Sequence, residues 1–242
     1  MADKIFLYQA SAFGFAGKIT APFQDTILGQ ASCALATSGG YSQNSVENYR
    51  CENMMTVGMA KSQVIGNFSA NDKAYFSMAS VTVEKINMMD MITCDRLTMR
   101  ISSKTMKSDT PVEPEITPLG CSFENLVING KRYDIKMATD LFNTFGTFSS
   151  LNTPAGKKEL SSLILAQGSA NIEGYTMVGN ETDLGILKHE IEIPQFGKIR
   201  LARLFCTPLS RRVSMMEVTL GCPGEGGGEF GGGTTNGGLF PP

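Results

Sequence analysis

Arg96-Leu97-Thr98-Met99-Arg100-Ile101-Ser102 places Leu97, Met99 and Ile101 on one side of an extended chain and Arg96, Thr98 and Arg100 on the other. That period of two belongs to a strand with one buried face. Upstream, Tyr75 to Ile86 is rich in β-branched and aromatic residues, which favour a pleated, half-buried surface. Downstream, Leu126-Val127-Ile128 runs into Asn129-Gly130. Both central residues of a type I′ turn need positive φ, so Asn-Gly predicts a hairpin over 123–133. Residues 190–193, 199–205 and 213–220 add three strands, punctuated by Pro194-Gln195-Phe196-Gly197 and Thr207-Pro208-Leu209-Ser210. Met216, Val218, Leu220 and Cys222 share one face of the last. The predicted fold is all-β, an antiparallel β-sandwich or jelly-roll-like domain over residues 1–222.

Three stretches break this pattern. Residues 104–118 carry Pro111, Pro114 and Pro118 among mixed charges and read as an exposed loop. Met137, Leu141, Phe142 and Phe145 fall at helical spacing, and Lys157 to Ala166 suits a second helix after Pro154. Together these predict a short helical insertion at about 137–166. From Pro223 onward nine of the last twenty residues are glycine, with no lysine or arginine. Such a segment buries too little apolar surface to offset its ordering entropy, so residues 223–242 are expected to form a flexible tail. Phe230, Leu239 and Phe240 are its candidate contacts with a neighbouring subunit.

The chain has 242 residues, is 42% hydrophobic and 18% charged, and carries a net charge of −2. A core burying roughly 70–75% of the unfolded surface is within reach. The densest basic spots, Lys157-Lys158 and Arg211-Arg212, are only pairs, so no field draws in nucleic acid. No run of about 18 apolar residues exists to span a membrane. Residues 1–10 lack the basic, apolar and small-residue regions of a secretory signal. The expected location is a cell or spore surface reached without a standard signal peptide, or else the cytoplasm.

Catalytic chemistry finds few footholds. The one histidine, His189, sits in Lys188-His189-Glu190-Ile191-Glu192-Ile193, where alternation gives it the place of a packed strand residue. Without a second histidine, zinc hydrolases and Cys/His proteases lack a ligand or a base. Gly224-Glu225-Gly226-Gly227-Gly228 has neither the lysine nor the hydroxyl residue of a phosphate-binding loop. Glu84, Asp90 and Asp95 lack calcium-loop spacing. The methionine clusters at 54–55, 88–91 and 215–216 read as core filler. No catalytic residue, cofactor or metal ligand is expected.

Six cysteines, Cys33, Cys51, Cys94, Cys121, Cys206 and Cys222, include no C-x-x-C pair. Cys33 and Cys51 lie symmetrically about Ser42, beside Gly39-Gly40. A hairpin there sets them face to face and makes them the candidate disulfide. A turn at 207–212 leaves Cys222 about 25–30 Å up the strand from Cys206, so Cys222 is instead a candidate crosslink between subunits.

The order and texture of several segments resemble the β domain of the choice-of-anchor P family of bacterial surface proteins. Phe6 to Gly17 looks like its opening strand, Ala79 to Val83 through Met91 to Asp95 its central pair, and Phe123 to Gly130 its Asn-Gly hairpin. Ile193 to Gly197 and Met216 to Leu220 are similar to its closing strands. The resemblance implies an extracellular β-rich surface module and carries over no functional residue. The function expected is a non-enzymatic structural protein that assembles with itself into a filament or layer. The alternative is an adhesion module for a glycan or protein ligand.

Overall fold

The computed structural model describes residues 5–137 (except 109, 111 and 119), 141–156, 164–167, 175–177, 184–185, 187–206, 211–221 and 225–240. The chain opens with β1 (Ile5–Ala21), β2 (Asp25–Gln30) and β3 (Cys33–Ala34). A meander follows: β4 (Gly40–Cys51), β5 (Met55–Ser69), β6 (Ala74–Met88) and β7 (Ile92–Met106). Short strands β8 (Glu115–Pro118), β9 (Ser122–Glu124), β10 (Leu126–Ile128) and β11 (Lys131–Met137) precede helices α1 (Leu141–Thr144) and α2 (Phe148–Leu151). Then come β12 (Ile164–Gln167), β13 (Tyr175–Met177), β14 (Leu184–Gly185) and β15 (Leu187–Ile193). β16 (Gly197–Cys206), β17 (Arg211–Leu220) and β18 (Glu225–Phe240) complete the order.

All strand pairs are antiparallel, and they form two sheets. The first runs β13-β15-β16-β17-β18-β1-β2, with β14 on β16 and β3 on β1. The second runs β12-β11-β10-β7-β6-β5-β4, with β8 and β9 on β7. Their inner faces share one core in which Leu97, Met99, Ile101, Val81, Val83, Ile199, Leu201 and Met216 are fully buried. This is the β-sandwich expected from the alternation at 96–102. The Asn129-Gly130 hairpin also forms, with φ of 50° and 72° at its two turn residues and Ile128 opposite Lys131.

Each long strand changes its inward face once, and neighbouring strands do so at the same level. In the first sheet Phe15, Phe230, Met216 and Leu201 form one cross-strand row, and Phe13, Gly232, Ser214 and Arg203 form the next. Between the rows each strand holds one extra residue: Gly14, Gly231, Met215 and Ala202. The second sheet does the same at Asn48, Gly58, Lys85 and Asp95. Asn48, Lys85, Ala202 and Gly231 have positive φ. Facing extra residues work like a bulge shared by every strand, bending the sheet while keeping apolar side chains inside.

The glycine-rich segment overturns the expected flexible tail and the domain division at residue 222. β18 lies inside the first sheet, paired with β1 over most of its length and with β17 from Arg212 to Leu220. Phe230 is 1% exposed and packs on Phe15, so it is a core residue rather than a contact between subunits. Leu239 and Phe240 pair with Phe6 and Ile5 of the same chain. At two of its glycines the second sheet comes too close for a side chain. A Cβ on Gly233 would lie 2.2 Å from Met99 Cε, and one on Gly231 2.4 Å from Leu97 Cδ2.

Two other expectations change. The helical insertion comprises α1, α2 and a further helical stretch at 154–156, with α2 held by a capping box between Thr147 and Ser150. Its far end is strand β12, and 157–163 lie outside the described residues. Part of the proline-rich loop is structured as well: β8 pairs with β7, and Ile116 is 1% exposed.

Candidate functional site: a polar groove and an open strand edge

Past the bend, the outer face of the first sheet carries a cross-strand network of charges. The row Glu190, Arg200, Glu217, Glu229 runs across β15, β16, β17 and β18 in register. Arg200 Nε lies 2.9 Å from Glu190 Oε2, and Lys198 Nζ 2.9 Å from Glu190 Oε1. Arg203 Nη1 donates to both oxygens of Glu217 at 3.1 Å, and Arg212 pairs with Glu229. Antiparallel register, with alternate residues on one face, brings together groups far apart in sequence.

The two ends of this network differ in their electrostatics. Hydrogen bonds from Lys198 and Arg200 hold the Glu190 carboxyl below its ordinary value of 4.5. Burial pushes Glu229 above 4.5, against the opposing pull of Arg212. Ser214 also favours the ionised form of Glu229, although its hydroxyl makes no well-aligned hydrogen bond.

Arg203, Arg212, Ser214, Glu217, Glu229 and Thr234 line a groove of about 670 Å³. Arg203 Nε, Ser214 Oγ and Glu229 Oε1 are buried there without a geometrically sound hydrogen bond. The sequence reading missed this site because it depends on β18 being a strand. The available signal was Glu229, a lone acid beside Phe230 in a glycine tract.

The other prominent surface feature is β4. β5 pairs with one side of it, and among the described residues no strand pairs with the other. Its twelve residues, GYSQNSVENYRC, include Glu47 and Arg50 as the only charges and no lysine or proline. An open edge is a template for another strand, and natural proteins usually blunt one with such residues or cover it.

The cysteine expectation is corrected. Cys33 and Cys51 are both free, buried thiols. Gly39-Gly40 does not turn a hairpin but carries the chain from one sheet to the other, with φ of 88° and 110°. Cys33 therefore pairs along β1 in the first sheet, while Cys51 ends β4 in the second. Cys51 instead donates to Asp25 Oδ2 at 3.5 Å. Cys222 lies outside the described residues. The backbone of His189 pairs with Leu201 and Tyr175, but its side chain also lies outside them. Met55, Met88, Met215 and Met216 fill the core as expected. Met54, Met89 and Met91 are only partly buried and line an apolar cleft of about 430 Å³ with Pro22 and Phe196.

These features define an antiparallel two-sheet β-sandwich with a polar groove on one face and an open edge on the other sheet. The chain belongs to the family described as a domain of unknown function, DUF8256, whose model matches residues 6–163. The matched span holds β1 to β11, and β18, the strand beside β1, falls outside it. No curated protein and no solved structure matches the chain. Among the described residues no helix is long and apolar enough to cross a membrane.

Proposed function

We propose that this chain is a non-catalytic structural module whose copies join edge to edge through β4, building a filament or layer at a cell or spore surface. The observation that carries the reading is the open edge of β4. Twelve residues span about 40 Å of strand, and one sheet neighbour leaves alternate peptide groups facing outward along that length. A second copy offers the same edge in antiparallel orientation; that contact closes as a dimer, and a second, separate contact would carry dimers on into a filament or layer. The resemblance to choice-of-anchor P proteins supports a surface location. Assembly through this edge does not draw on the glycine segment, since β18 is committed to its own sheet.

The test is sedimentation velocity with negative-stain microscopy across a concentration series. The intact chain should form ordered polymers, and Tyr41→Lys with Gln43→Lys should disperse them. Both residues are exposed, and their cross-strand neighbours are Ile65 and Gln63. A monodisperse monomer under every condition, or polymers indifferent to the two lysines, would refute the reading.

A further inference from the structure

We propose that the groove across β16, β17 and β18 binds a neutral saccharide; this is independent of assembly through β4. Three buried polar atoms gather in one groove: Arg203 Nε is a donor without a partner, and Ser214 Oγ, a donor and acceptor, and Glu229 Oε1, an acceptor, have no well-aligned partner beyond the interaction of Ser214 with Glu229. Ser214 is only 2% exposed although it stands on the outer face of the sheet. A buried polar group without a partner is costly, so this arrangement calls for something to fill it. Adjacent sugar hydroxyls each donate and accept, and they match that mixture.

The charge of the lining narrows the ligand class. Arg203 and Arg212 are offset by Glu217 and Glu229, and the adjoining Arg200 and Lys198 by Glu190 and by Glu192, which stands opposite Lys198. The balance offers no net pull on a phosphate, a carboxylate or a metal cation. Thr234 adds a hydroxyl at the rim, 2.9 Å from that of Ser11.

An apolar surface stands beside these polar groups. Phe13 lies over Gly232: a Cβ there would come within 2.3 Å of the ring and 2.7 Å of Glu229 Oε1. The ring and the carboxylate thus flank the same glycine. Pyranose rings present C–H faces as well as hydroxyls, and an aromatic side chain beside paired donors and acceptors suits both.

Saturation-transfer NMR on the full chain tests this, using cello-, malto-, manno- and chito-oligosaccharides and an oligogalacturonate as the charged control. At least one neutral oligosaccharide should show transfer with a Kd at or below about 1 mM. Ser214→Ala and Glu229→Gln should each weaken it about tenfold or more, while Glu124→Gln, on the other sheet, should leave it unchanged. Ser214→Ala removes only a hydroxyl and keeps the test open if Glu229→Gln disturbs folding. Absence of transfer from every neutral sugar would overturn the proposal, the groove then holding water alone. Binding indifferent to both groove variants, or stronger binding of the charged control, would do the same.

Discussion

β18 and β4 are both long strands, and their compositions point the wrong way about where each belongs. Eight of the sixteen residues of β18 are glycine, yet it lies between β17 and β1. β4 has the tyrosines, valine and alternating texture of an ordinary strand, yet among the described residues no strand pairs with one side of it. Glycine disfavours a strand in isolation because it loses the most backbone freedom and brings no side chain to pack. In β18 the neighbours offset that cost. Leu97 and Met99 from the facing sheet occupy the space over Gly231 and Gly233, and Phe13 covers Gly232 from the adjacent strand. The lesson is that a strand's place depends on what surrounds it as much as on its own residues.

The sharpest way to break this comparison is to give β18 a side chain. Gly231→Val sets a β-branched residue at φ +66° and drives it into Leu97. It should cost about 3–5 kcal/mol in denaturant unfolding. Gly238→Ala, where nothing lies within 4 Å, should stay within about 0.5 kcal/mol of the parent. Equal effects at the two sites would mean that close packing does not explain the glycines.

The four buried cysteines should be poorly reactive in the folded chain. Burial pushes the Cys51 and Cys94 thiols up to about 11, from an ordinary 9.0. That rise alone lowers their thiolate fraction about a hundredfold near neutral pH. Cys33 and Cys121 are buried and shifted the same way. All four should resist a thiol reagent in the native state and react once unfolded without reductant. A Cys33–Cys51 disulfide recovered by mass spectrometry would contradict the sheet-to-sheet crossover.

The charged row sharpens the comparison more gently. Glu190 is held below 4.5 in the folded state, so its contribution exists above that pH and fades as pH falls through the lowered value. Glu229 is raised, so its contribution exists below 4.5 and is lost as pH rises through its folded value. Glu190→Gln should flatten the acid side of the stability–pH curve by at most about 1 kcal/mol, given its partial exposure. Glu229→Gln should remove the opposite trend. Matching slopes for the two variants would show that burial of Glu229 does not govern its ionisation. Smallest of all, the lysine pair in β4 should shift monomer stability by no more than about 0.5 kcal/mol while changing association.

Local patterning made much of the fold legible. The alternation at 96–102, the β-branched run in β6 and the Asn-Gly turn each needed nothing beyond their own residues, and all three stand in the structure. Features that depend on distant partners were not legible. Gly39-Gly40 looks the same in a hairpin turn and in a passage between sheets. The bend in each sheet adds one residue per strand, and a single phase change is hard to see without knowing which strands are neighbours. The groove was hidden for the same reason, because Glu229, Glu217 and Arg203 meet only after β18 takes its place. Arg211-Arg212 was visible as a basic pair, but alternation separates the two. Arg211 is fully buried, 3.5 Å from Glu113, while Arg212 reaches the outer groove.

Hydrogen exchange measured on both monomer and polymer compares the two strands most directly. Amides of residues 226–234, flanked by β17 and β1, should be protected close to the global unfolding free energy in the monomer and remain so on assembly. In β4, alternate amides should exchange freely in the monomer and gain protection in the polymer. Rapid exchange throughout 226–234, or a β4 whose protection never changes with assembly, would contradict a buried glycine strand and an open edge that joins copies of the chain.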